Sequence, residues 1–332
     1  MSYDPWTEDY QRMSLRFAQT LDWSDTQTTA KAIADFKRLY THNRNSLPQT
    51  DSERAFHLVA QAAYLIDYRL PFSEEKAAEK IIDTATSLLN EANALDDTCY
   101  DAQRMLAASQ CPNFESYYRF LADHIEKVKQ DCENARKKAT GHTVLDEELA
   151  QDIAMRPYKR WTATLAVRAL VCGRYRIAAK LVEELLNLDP QDASGARYTA
   201  ALVYAKLEDD RALESLVIRT LRLGNPAHED AWVLLARIAL AYKRRDMQAA
   251  ELFLQELMRS YPQAATTLKQ QEELPDGVFC RLPVIPFSEN ELIVAVSEAS
   301  VLLQEGRDDG EHGPLGNWLS KRAEDFLKSE TT

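Results

Sequence analysis

The sequence predicts an all-α protein, a right-handed superhelix of stacked antiparallel helical hairpins closed by capping helices. Three observations predict it. Pro190, Pro226 and Pro262 stand 36 residues apart. Each follows an apolar run of helical period, and Ala178, Ala212 and Ala250 stand near the start of those runs. Self-similarity at a period in the thirties marks helical hairpins that complete a core only by stacking on their neighbours. Finally, 9 glycines in 332 residues disfavour turn-dense β architectures and glycine-rich nucleotide loops. The alternative is an ordinary helical bundle, but proline spacing and Ala/Leu register agree with each other and argue against it.

The elements follow in order. Residues 1–49 read as an N-terminal helical extension of two helices. Tyr10, Met13, Phe17 and Leu21 stripe the first; Ser24-Asp-Thr-Gln27 has the spacing of a capping box and opens the second, with Ala30, Ile33, Phe36 and Tyr40 inward. Residues 50–139 read as degenerate hairpins. Thr50-Asp-Ser-Glu53 is a second capping box before Phe56, Val59, Ala63 and Ile66; Pro71-Phe-Ser73 breaks that helix, and another follows over 74–93. Helices over 97–109 and 113–138 flank Cys111-Pro112. Residues 140–152 read as a linker or bend, 153–262 as the repeat core, and 263–332 as an extended segment with capping helices. In the last stretch, Val278–Phe287 is apolar but holds two prolines, which excludes a central strand. Ser288-Glu-Asn-Glu291 opens a helix to about Glu305, and Leu315, Trp318, Leu319, Ala323 and Phe326 stripe a final one.

Within the core, Leu165, Ala169 and Cys172 share one helical face, as do Ala178, Leu181, Val182, Leu185 and Leu186. Gly173 stands at the elbow between those helices, and Pro190 stops the second. A second unit covers about Asp192 to Gly224, with Arg219 and Arg222 suited to a helix C-terminus. A third starts at His228, with Tyr242-Lys-Arg-Arg-Asp246 as an elbow two residues longer than the first. Leu165, Ala166, Ala169, Gly173, Tyr175, Ala178, Val182, Leu185 and Pro190 resemble the tetratricopeptide repeat. Met155-Arg-Pro-Tyr-Lys-Arg160, Gly173-Arg174, Glu183–Asp192 and Gly195-Ala-Arg-Tyr198 are similar to bacterial relatives of the suppressor-of-tumorigenicity-seven family. The match spans about 45 residues and extends loosely upstream to Ala94. The resemblance implies a helical repeat protein without established catalytic residues.

Composition narrows the classes further. The net charge is −12, yet residues 151–262 hold 17 Lys and Arg against 14 Asp and Glu, or +3, leaving −15 for the rest. Global acidity argues against nonspecific binding to nucleic acid or an anionic membrane. No apolar run reaches membrane-span length, and the N-terminus lacks a basic-then-apolar leader, so a cytoplasmic location is expected. Cys99, Cys111, Cys132, Cys172 and Cys280 form no Cys-x-x-Cys pair and read as free thiols. The six histidines form no ligand motif, and nucleophile-elbow and phosphate-loop motifs are absent, so neither catalytic residues, nor a metal, nor a cofactor is expected. Tyr117, Tyr118 and Phe120 fit core packing better than base stacking, and the basic run Arg156–Arg160 fits a helix start with snorkelling side chains.

In tetratricopeptide proteins the first helix of each hairpin lines a concave groove. That register places Arg160, Thr164, Ser194, Arg197, Tyr198, Tyr204, Asp230 and Arg237 there. Three arginines on successive helices suggest a trough for an acidic peptide, because guanidinium matches carboxylate in a two-bond fork. The alternative is that they pair with neighbouring helices. The lysine/asparagine clamp of chaperone-binding repeats is replaced by Ala163, Val167, Tyr198, Asp230 and Leu234. The expected function is a non-catalytic scaffold or adaptor that binds a protein or peptide partner. A peptide-sensing regulator and an enzyme with a site in a helical crevice are the alternatives; strongly shifted acids in a defined pocket would favour the latter.

Overall fold

A computed structural model describes residues 3–222, 229–308 and 312–330 of the chain. These residues form sixteen α-helices joined by turns, two short 3-10 segments and one π-helical turn, with no strand among them. Gly224, Pro226 and the start of the third unit at His228 lie outside the described residues, as do Thr331 and Thr332 at the expected frayed end. The chain forms two compact units. Among the described residues, the N-terminal unit holds 3–164 and 277–281; the C-terminal unit holds 165–222, 229–276, 282–308 and 312–330.

In the N-terminal unit, α1 (Pro5–Ala18) is capped by Asp4, whose carboxylate accepts from Thr7 N. Helix α2 (Thr26–Asn43) is capped by Asp25, not Ser24: the Asp25 carboxylate reaches both Gln27 N and Thr28 N. Phe36 packs on Met13 and Leu47, whereas Ala30 and Ile33 are exposed rather than inward. The inward face of α2 is the narrow stripe through Phe36 and Tyr40, which pack on Tyr10 of α1. Helix α3 (Asp51–Ala63) opens with the reciprocal Thr50/Glu53 capping box and buries Phe56, Val59 and Ala63. It continues into a π-helical turn, Tyr64–Arg69, before Pro71 ends it. Helices α4 (Glu75–Leu95), α5 (Tyr100–Gln110) and α6 (Phe114–Lys138) follow, and Tyr117 and Tyr118 are core residues.

The expected linker at 140–152 is short. Helix α7 (Val144–Val171) takes in the acidic segment, and the division between units falls within it, after Thr164. Pro157 lies inside α7, so Arg156–Arg160 is mid-helix rather than a helix start. Nor do its cations snorkel: Arg156, Lys159 and Arg160 are all buried.

In the C-terminal unit, α8 (Tyr175–Leu188), α9 (Ala196–Leu207), α10 (Asp210–Arg222), α11 (Ala231–Lys243) and α12 (Met247–Ser260) pack in sequence order. Three elbows share one geometry. Gly173, Glu208 and Arg245 each take a left-handed conformation, with φ of 73°, 56° and 61°. At each, the next N–H returns to a carbonyl five residues back: Arg174 to Ala169, Asp209 to Tyr204, Asp246 to Ala241. This is the Schellman closure, which satisfies carbonyls the helix end leaves open. The third elbow is therefore no longer than the first: 172–174 and 244–246 both intervene between helices.

Helix α13 (Ala264–Gln270), seven residues long, lies where the repeat register fades and buries Ala264, Ala265, Thr267 and Leu268. Next come α14 (Glu289–Glu298), α15 (Ser300–Leu303) and α16 (Pro314–Glu330). Ser288 caps α14, but Glu291 reaches back to Phe287 N, one residue before the cap. The expected single helix to Glu305 divides at Ala299.

Candidate functional site

The residues expected to line one trough divide between the two units. Arg160 and Thr164 belong to the N-terminal unit. Arg160 is buried, and its guanidinium meets Asp101 through Nε (2.8 Å) and Nη2 (2.5 Å), and Glu8 through Nη1 (2.8 Å). Burial opposes ionisation of both acids, yet the surrounding arginines prevail. Asp101 is pulled down to about 2 by Arg160 and Arg104, and Glu8 lies below the ordinary glutamate value beside Arg160, Arg12 and Arg156. Thr164 Oγ1 donates to Arg160 O and accepts from Arg104 Nη1. This is a closed ion network inside the unit, not a surface for a peptide carboxylate.

The remaining six lie in the C-terminal unit. Arg197 donates from Nη1 to Asp192 (3.0 Å), sits 3.6 Å from Asp230 through Nε, and covers the Tyr198 ring at 4.1 Å. Tyr198 in turn packs against Trp232, with ring centroids 4.0 Å apart. Asp230 caps α11 by accepting from Val233 N. Burial, and then the charge of Glu291, pushes its carboxyl up to about 6 although Val233 N–H and Arg197 oppose this. Asp192 is likewise raised by burial, despite Arg197 and the N–H groups of Ala196 and Arg197. The Ser194 hydroxyl is buried without a hydrogen bond, and burial pushes Tyr204 up to about 12. Arg237 does not join Arg197. It donates to Glu229 from Nε and Nη2, both at 2.7 Å, and to Glu214 of α10 at 3.0 Å. All three trough arginines are therefore neutralised by neighbouring acids.

Two clefts mark this unit. The first holds Arg197, Tyr198, Glu229 and Asp230 against Val217, Leu221, Phe287 and Glu291. Asp230 and Glu291 line it with the single guanidinium of Arg197, and Glu229 is already held by Arg237, so no positive charge is spare for an acidic ligand. It offers about 50 Å³ of free space, against roughly 300–1,000 Å³ for ordinary ligand sites. The second lies among α10, α11 and α12 and offers about 410 Å³. Its apolar lining is Leu213, Leu240, Ala241, Ala249 and Phe253; the Asp210–Arg244 and Glu214–Arg237 pairs, with Arg211 and Asp246, make up the charged part.

No family model, no curated protein and no solved structure matches the chain.

The first-helix face expected to stand open is covered by the chain itself. Ala200 to Ala205 of α9 are buried without interruption, as are Ala231 to Ala236 of α11. Four consecutive buried residues encircle a helix at 100° per residue, so neither helix has a free side there. Helix α14 packs on α11 and α15 on α9. Trp232 Nε1 donates to Glu298, and Glu291 accepts from Tyr261 Oη at 2.6 Å. The reading from sequence missed Glu291, Glu298 and Asp192. Glu291 meets Tyr261 from 30 residues away and Glu298 meets Trp232 from 66, pairings that helical periodicity does not encode. Asp192 had a local signal: an acid followed by Ala-Ser-Gly just before α9, where it accepts from the first helical N–H groups.

No cluster of three or more His, Cys, Asp or Glu among the described residues has metal-binding geometry. No helix among them is long and apolar enough to cross a membrane.

Proposed function

We propose that this protein is a non-catalytic scaffold or adaptor of the tetratricopeptide kind, and that its partner docks on the second-helix side of the hairpins. The observation that carries this reading is the cleft of about 410 Å³ among α10, α11 and α12. Apolar residues stand exposed on that row of second helices: Ile177 on α8, Ile218 on α10, and Met247 and Leu252 on α12. The three shared elbows and the sequence-order packing of α8 to α12 support the repeat reading. Asp210, Glu214, Arg237 and Arg244 of the lining are paired with one another, so affinity comes chiefly from apolar burial. An amphipathic helix laid into the groove fits this lining better than the acidic peptide suggested by the arginines alone.

Selection of helical peptides from a displayed library tests the proposal. Selected peptides should bind wild type, and Ala249→Arg, which fills the cleft, should weaken them at least tenfold with an unchanged melting temperature. Equal binding by both proteins, or no peptide selected, refutes it.

A second reading has one observation in its favour. Asp230, raised to about 6 beside Arg197 and Glu291, is the kind of shifted acid an enzyme uses. Its role as the α11 cap and the small volume of its cleft weigh against that reading.

A further inference from the structure

The five residues 277–281 belong to the N-terminal unit, although the described chain immediately on either side of them, 229–276 and 282–308, belongs to the other. They adopt no helix or strand. Such a segment must still satisfy its backbone polar groups when buried. Here two side chains satisfy four of them. The Asp67 carboxylate accepts from Val278 N (2.7 Å) and Phe279 N (3.2 Å). The Arg104 guanidinium donates to Val278 O and Phe279 O, both at 2.7 Å. Both side chains are buried, and bonds between a charged group and a main-chain dipole are the strong kind.

Phe279 is 1% exposed, edge-on to the Phe56 ring at 6.2 Å and beneath the Arg160 guanidinium at 4.5 Å. Beside it the Cys280 thiol donates to Tyr3 O. Two of the receiving side chains have partners outside the segment. Arg104 is braced by Asp101 and Thr164, and Arg160 by Asp101 and Glu8. Asp67 stands on the π-helical turn 64–69, an irregularity that re-aims a side chain and recurs at functional positions.

We propose that Asp67, Arg104 and the Phe56/Arg160 wall form a peptide-recognition site, occupied in cis by Val278-Phe279-Cys280. In trans the site takes an extended, unstructured segment that places a phenylalanine between small or branched neighbours. The clamp reads the main chain and the pocket reads the ring, so a partner carrying such a segment competes with the chain's own. This site is independent of the α10–α12 cleft.

The test is a fluorescent peptide spanning residues 274–284, titrated into the full-length protein. Wild type, with its site filled, should bind weakly. Phe279→Ala empties the ring pocket, and Val278→Pro removes one N–H donated to Asp67; each should bind the peptide at least tenfold more tightly than wild type. Adding Asp67→Asn to either should reverse that gain. Equal affinity for wild type and both variants overturns the proposal, as does tight binding that survives Asp67→Asn. If neither variant keeps a cooperative melt, the segment is an obligatory part of the core, and the proposal fails on that ground.

Discussion

Replacing Arg160 by methionine tests the central energetic feature of the N-terminal unit. Methionine matches much of the side-chain volume, so the change is chiefly the loss of a charge. In the wild type Glu8 and Asp101 are both essentially inaccessible, at 1% and 2% exposure, and share Arg160 between them. Removing one partner of a buried ion group costs about 3–5 kcal/mol, because the remaining charges stay desolvated. Here two carboxylates are left, with Arg12 and Arg156 still near Glu8 and Arg104 near Asp101. Urea titration at neutral pH, followed by tryptophan fluorescence and circular dichroism, measures the loss. The pH dependence supplies a second signature. Asp101 falls from 3.8 to about 2 in the folded protein. A lowered carboxyl stabilises above its unfolded value and loses that contribution as pH falls through the folded one. At about 1.4 kcal/mol per unit this amounts to about 2–3 kcal/mol, lost between roughly pH 4 and pH 2. Without Arg160, burial prevails over the remaining cations, both acids rise, and acidification to pH 4 should help rather than harm the variant. A loss below about 1 kcal/mol with wild-type acid sensitivity would refute this account.

Three other outcomes follow from the C-terminal unit. Asp230, raised to about 6 from 3.8, favours the folded state only while protonated; that advantage is lost as pH rises through about 6. Asp230→Asn keeps a capping oxygen and should gain up to about 3 kcal/mol on wild type between pH 4 and pH 7, read from melting curves across pH. At the elbows, Gly173→Ala should cost about 1 kcal/mol, whereas Glu208→Gly and Arg245→Gly should each gain a similar amount, seen as shifts in urea midpoint. In α16, a Cβ at Gly316 would stand 2.7 Å from Leu303 O and 2.8 Å from Gln271 Oε1; Gly316→Ala should therefore destabilise by about 1–3 kcal/mol in the same assay.

Which features were legible in sequence depends on their range. The Thr50 box, the Gly173 elbow, the Ser288 cap and the apolar stripes of α8 and α12 rest on residues within one or two turns of each other. Helical period and capping chemistry express such relations directly. Even there, a local rule can choose the wrong neighbour: Asp25 caps α2 where Ser24 was the expected residue, because a carboxylate accepts from two N–H groups at once. Arg245 also shows that a left-handed elbow need not announce itself with glycine.

The candidate site was less legible, because the fate of a charge depends on what the rest of the chain brings to it. Sequence placed Arg160, Arg197 and Arg237 on helices one hairpin apart. Tertiary packing set Glu8 and Asp101 against the first, Asp230 against the second and Glu214 against the third, beside the nearer Asp192 and Glu229. It also laid α14 and α15 on the helices whose faces would otherwise be open. The amino-acid order by itself determined that this chain is helical, where most helices start and stop, and which stripe of the strongly amphipathic ones, such as α8 and α12, turns inward, since those depend on backbone geometry and near neighbours. Which cations remain available and which face remains exposed was decided only by the folded chain, since burial and pairing are properties of residues brought together from far apart.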